Sequence, residues 1–179
     1  EWAVENKIHP SVLTLIQLRG DLLEQVDAQL TNGHLIGPNP RAWARVSHIL
    51  YSVGVDNREI AEPLVEGLIG KSAAADLFLT AEEMRGLPMP SDILSMDPAD
   101  YKNISVNTIP SMYGLTYSLV SYSDTMEHMR KTLKCLQVIT SRPTNLPSGD
   151  CMALGMELLM EKALNKGMDN ELMDTPEFQ

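Results

Sequence analysis

The chain has 179 residues, 44% apolar and 21% charged, a balance that suits a folded globular protein and excludes wholesale disorder. Lys and Arg number 14 against 24 Asp and Glu, and the formal charge of −10 argues against nucleic acid as the main partner, because phosphate binding needs a basic surface. No run approaches the ~20 apolar residues of a membrane span, no secretory signal opens the chain, and Cys135 and Cys151 alone make no disulfide framework; they suit a reducing, cytoplasmic compartment as buried thiols.

Aromatics are only 5%, β-branched runs are scarce, and Leu, Ala, Met, Glu and Gln recur at helical spacing, so the chain reads as all-α. It opens Glu1-Trp2-Ala3-Val4, without an initiating Met and already in a helical pattern, as a piece of something longer would. Residues 1–7 read as the end of a helix. Pro10 opens the next one, since the first helical position needs no N–H, with Val12, Leu13, Ile16 and Leu23 as its buried stripe and Gly20 as a break. Asn, Gly and Pro mark 27–40 as a loop. A strong helix follows from Pro40 or Arg41 to Ser52, and Gly54 is placed to stop it. Asp56 and Glu59 have capping-box spacing for the helix after it, which Pro63 is expected to break or restart. Ala73, Ala74, Leu77 and Phe78 carry a further helix to about Met84.

Pro88, Pro90 and Pro98 mark 86–106 as a Pro-rich linker, with a weak strand at 104–106. Helices are expected over 110–122 and 124–140, the second with Asp124 and Glu127 as a capping box. A loop at 141–149 leads to a helix over 150–166, stopped by Gly167. The expected organisation is a helical domain over 1–85, the linker over 86–106, a small helical subdomain over 107–167 and a frayed acidic tail over 168–179.

The segment Gly67-Leu68-Ile69-Gly70-Lys71-Ser72 ends like a phosphate-binding loop, but that loop needs its first glycine at the position of Val65 and a preceding strand. Residues 60–66 read as helix, so the segment is a helix-to-helix turn. His9, His34, His48 and His128 share no metal-ligand spacing, and Glu127-His128 lacks the second histidine of a zinc-protease helix. Ser111, Ser118 and Ser121 have no nucleophile-elbow glycines. Met152, Met156 and Met160, with Leu159 and Ala163, read as core; the alternative is an adaptable interaction groove. The acid-rich stretch from Asp150 onward is a solvated face or, more sharply, a docking surface for a basic partner. These surfaces frame an alternative function, a non-catalytic helical adaptor.

Arg41, Arg45 and His48, spaced i, i+4 and i+7, share one helix face, opposite Trp43, Val46, Ile49 and Leu50. By spacing alone this is a solvated charged face. Arg41, however, falls in the first helical turn, where the macrodipole disfavours a cation unless an anion lies in front of it. A guanidinium there can grip a phosphate bidentately.

Ile8-His9-Pro10-Ser11-Val12, Pro40-Arg41-Ala42-Trp43 with Val46-Ser47, Gly67-Leu68-Ile69-Gly70 with Ala73-Ala74-Ala75 and Phe78, and then Leu87-Pro88 with Asp92-Ile93-Leu94, together resemble the lid of MoxR-type AAA+ ATPases. The resemblance runs more loosely to Lys166. It implies a helical lid bundle over 1–85 followed by a second small helical subdomain. It also implies that Arg41 is the sensor-2 arginine reaching the ATP γ-phosphate, with Arg45 and His48 as weaker nucleotide or subunit contacts. Asn39 stands where the family tends to have Ser or Thr, and Ala44 where an acid is common. Walker A, Walker B, sensor 1 and the arginine finger are not in this sequence, so no catalytic residue and no metal ligand is expected in it. The chain by itself would not hydrolyse ATP. ATP and Mg²⁺ would be held by an α/β core preceding it, in a ring-forming homo-oligomer, a hexamer by family precedent. That parent would be a remodelling or metal-insertion chaperone working with a von Willebrand A domain partner.

Overall fold

Helix signals recur along the whole chain, and the structure, a computed structural model, answers with helices; it describes residues 2–31 and 36–178, except the side chains of 27, 28 and 30. His34 lies outside the described residues. Among those residues there is no strand, so the one expected at 104–106 does not form. No described helix is long and apolar enough to cross a membrane. The chain divides into a middle unit, Ile8–Arg85, and a terminal unit built from Glu1–Lys7 and Gly86–Gln179.

The first helix, α1 (Trp2–Glu5), belongs to the terminal unit. The middle unit begins with α2 (Pro10–Leu18), a 3₁₀ turn at Gly20–Leu22 and α3 (Val26–Thr31). That last helix occupies part of the expected 27–40 loop. The unit closes with α4 (Pro40–Val53), α5 (Arg58–Ile69) and α6 (Lys71–Glu83). In it α4 packs on α5, α5 on α6, and α2 on both α4 and α6. The buried side of α2 is Ser11, Val12, Thr14 and Leu15, so only Val12 of the expected stripe is in the core, and Leu23 is exposed. Pro63 stays inside α5 instead of breaking it. It stands on the exposed side, where the Glu59 carbonyl it cannot bond is free to tilt toward water. Asn57, not Asp56, takes the N-cap position of α5, and Asp56 instead accepts a hydrogen bond from Arg85 at 3.1 Å. Gly67 lies exposed within α5, and a Cβ built there meets nothing within 4 Å. Gly67→Ala should therefore stabilise the middle unit by about 0.5–1 kcal/mol through helix propensity. A urea midpoint that falls would contradict this.

His9 caps α2 in an unusual way. Its Nδ1 accepts the Ser11 N–H (3.3 Å), its own N–H donates to Ser47 Oγ (2.9 Å), and its ring meets Tyr51 edge-on at 4.9 Å. Burial lowers the imidazole from 6.5 to about 4.

The terminal unit continues with α7 (Pro90–Ser95), a 3₁₀ segment at Pro98–Asn103, α8 (Ile109–Tyr122), α9 (Met126–Thr140), α10 (Ser148–Lys166) and α11 (Asp169–Met173). Residues 86–106, expected as a linker, are folded into it, with Ile93, Leu94, Tyr101 and Ile104 all buried. Pro90 and Pro98 each open a helical segment. Arg142 locks the region by donating to the Tyr101 and Ile104 carbonyls, both at 2.7 Å. The segment after Gly167 is likewise anchored: Leu172 is buried, and Gln137 donates to the Glu177 carbonyl at 2.6 Å.

Three helices, α8, α9 and α10, form the heart of this unit. Thr125, not Asp124, caps α9, accepting the His128 N–H at 3.2 Å. Asp124 has another task. Partial burial would raise its carboxyl, but hydrogen bonds from Lys166 and Lys162, with Lys7 beside them, hold it well below the usual carboxylate range. Lys162 also donates to the carbonyls of Val120 (2.9 Å) and Ser121 (3.0 Å) at the end of α8, where a cation is favoured. The Met152, Met156 and Met160 stripe lies half-buried, while Cys151, Gly155, Leu158, Leu159 and Ala163 form the buried side of α10. Cys135 and Cys151 are free and buried, and burial pushes both thiols up to about 12.

Candidate functional site

The first turn of α4 is built by a short run of local rules. Asn39 is extended (φ −155°), and its Oδ1 accepts the Ala42 N–H at 3.0 Å, a standard N-cap. Pro40 follows as the first helical residue. Trp43 turns inward, 3% exposed, above Val46 and Leu50. Its indole N–H donates to the Leu22 carbonyl at 2.8 Å. The Gln25 N–H donates to the Pro38 carbonyl at 2.9 Å, so the approach to α4 is bonded to residues 22–25 at a second point.

Arg41, Arg45 and His48 project from the opposite, exposed side of α4, as the spacing predicts. Among the described residues none of the three has a hydrogen-bond or ion-pair partner. The other arginines differ: Arg19, Arg58, Arg85 and Arg130 pair with acids, and Arg142 holds carbonyls. Arg41 thus places an unneutralised guanidinium at the positive end of a 14-residue helix. The arrangement can receive an anion.

The Gly67–Ser72 segment is a helix-to-helix turn in the structure too. Gly70, at φ 83°, ends α5, and Lys71 starts α6. A cavity of about 470 Å³ beside it is walled by Leu22, Gln25, Pro38, Ile69 and Lys71. The Arg19 guanidinium at its rim is already taken by Asp21 at 2.9 Å and Asp76 at 3.4 Å. His9, His48 and His128 stand on the cap of α2, on α4 and on α9, and among the described residues no three His, Cys, Asp or Glu side chains come together as a metal site. No protein-family model, curated protein sequence or solved structure matches the chain.

The face carrying Arg41, Arg45 and His48 was legible in the sequence, because it needs only helical spacing. The bonds beneath it were not. Leu22 and Gln25 contribute backbone atoms, which carry no residue-specific signal.

Proposed function

We propose that the chain is the ATP-sensing lid and C-terminal extension of a MoxR-like AAA+ ATPase, with Arg41 as the residue that meets the γ-phosphate. The reading is carried by one observation: Arg41, within Pro40-Arg41-Ala42-Trp43, is exposed in the first turn of α4 and has no partner among the described residues. A cation there opposes the helix dipole, and the doubly charged terminal phosphate of ATP reverses the balance. The guanidinium fork matches phosphate oxygens bidentately, and in a closed site it would stabilise charge developing on the transferred phosphoryl group. Arg45 and His48, one and two turns on, would face the nucleotide or a neighbouring subunit more weakly.

ATP and Mg²⁺ would be held by an α/β core, and this chain's part is to close on the nucleotide and report its state. The assembly would be a homo-oligomeric ring, a hexamer by family precedent, remodelling clients or inserting metal with a von Willebrand A domain partner. Arg41→Ala in the protein carrying its core should lower ATP turnover on the order of a hundredfold, with the circular dichroism spectrum and melting temperature unchanged. Wild-type turnover in that variant would sink the assignment.

A further inference from the structure

Arg41 and Trp43 are two residues apart, so on a helix their side chains point about 200° from one another. Whatever fixes the inward direction of Trp43 therefore fixes the outward direction of Arg41. Burial alone does this loosely, since an apolar ring can turn or slide in a core. A single directional bond does it tightly. The Trp43 indole N–H reaches the Leu22 carbonyl at 2.8 Å, at the end of the 3₁₀ turn, where helix carbonyls lack intrahelical partners. Both groups are thereby satisfied, and α4 is fixed in rotation and in height against residues 22–25.

Three further bonds act on the same few residues. The Gln25 N–H holds the Pro38 carbonyl at 2.9 Å. Asn39 closes the first turn through Oδ1 to the Ala42 N–H and braces the preceding backbone through Nδ2 to the Gly37 carbonyl at 3.3 Å. Residues 37–43 are thus held at three points, with Arg41 inside the held stretch and itself untouched. We propose that Trp43, through its indole N–H, and Asn39, through its cap, are positioning residues that aim Arg41 at its phosphate. This rests on the sensor reading of Arg41 given above. It adds that residues 22–25 are the frame against which that arginine is set.

The test is a double-mutant cycle in the protein carrying its ATPase core. Trp43→Phe keeps an aromatic ring in the core and removes only the indole N–H. It should lower kcat about tenfold, the scale expected for a misaimed group, and leave KM within about twofold. Asn39→Ala should act in the same direction, and Asn39→Asp, which keeps the cap acceptor, should restore most of the rate. In an Arg41→Ala background, Trp43→Phe and Asn39→Ala should cost nothing further, because residues that act through Arg41 have nothing left to aim. A further loss of kcat in that background would overturn the proposal, as would wild-type kcat in both single variants. If Arg41→Ala itself leaves turnover intact, the sensor reading fails and the positioning inference falls with it. If Arg41→Ala is impaired while Trp43→Phe and Asn39→Ala are not, only the positioning inference is lost. Should Trp43→Phe not fold, the Asn39 arm of the cycle carries the same decision.

Discussion

Gly155→Val is expected to destabilise the terminal unit by about 3 kcal/mol, the upper range for overpacking a filled core. A Cβ at Gly155 would lie 2.5 Å from Leu136 Cδ1 and 3.5 Å from Thr116 Cγ2. Leu136 is 1% exposed and Thr116 is fully buried, so neither neighbour has solvent to move into. The missing side chain is what lets α10 approach α8 and α9 closely. Gly155→Ala offers a graded control: it makes the first clash but recovers about 1 kcal/mol of helix propensity, so its loss should be much smaller. Urea unfolding, followed by amide exchange in α8, α9 and α10, reads both changes. A Val variant as stable as wild type would mean that α10 does not sit this close.

Acidification should weaken the middle unit by about 3 kcal/mol between pH 7 and pH 4, through His9 alone. Its folded value of about 4 lies below the ordinary 6.5, so in this window the unfolded chain binds the extra proton. Stability therefore rises with pH here: the contribution is complete above 6.5 and is lost as pH falls toward 4. The structure supplies the reason, because a proton on Nδ1 removes the acceptor for the Ser11 N–H and puts charge into a half-buried site beside the Tyr51 ring. His9→Asn keeps a capping oxygen and removes the titration. The difference between wild type and variant, followed by the fluorescence of buried Trp43, should collapse across this range. Parallel pH profiles would rule out His9 as the titrating group.

Where local chemistry decides, the sequence was a good guide. Gly54 (φ 88°) and Gly167 (φ 68°) end α4 and α10 as expected, because few other residues adopt those angles. The helical spacing of α4 placed Arg41, Arg45 and His48 together on its exposed side. Errors came where a side chain had two possible uses. Asp56 and Asp124 have the spacing of caps, but the N-cap position falls to the next residue, Asn57 or Thr125. Each acid is taken instead by distant cations: Arg85 for Asp56, and Lys7, Lys162 and Lys166 for Asp124. Prolines misled in the same way. Pro90 and Pro98 look like linker punctuation, and each in fact opens a helical segment whose apolar side is buried. The tether from Trp43 to Leu22 could not be read at all, since its acceptor is a backbone carbonyl 21 residues away.

The terminal unit is discontinuous, and this sets an order of assembly during synthesis. Once Arg85 has left the ribosome, every residue of the middle unit is available, and its helices can pack while the rest is still being made. The α1 segment cannot do the same. Lys7 meets Asp124 across 117 residues and Glu5 meets Asn165 across 160, so α1 must wait, unpaired, until α9 and α10 have been made. Closing that unit means forming contacts of very high sequence separation, which are slow to find. A nascent chain stalled once Arg85 has cleared the ribosome should therefore display a protease-resistant middle unit, while the α1 segment ahead of it is still open to cleavage.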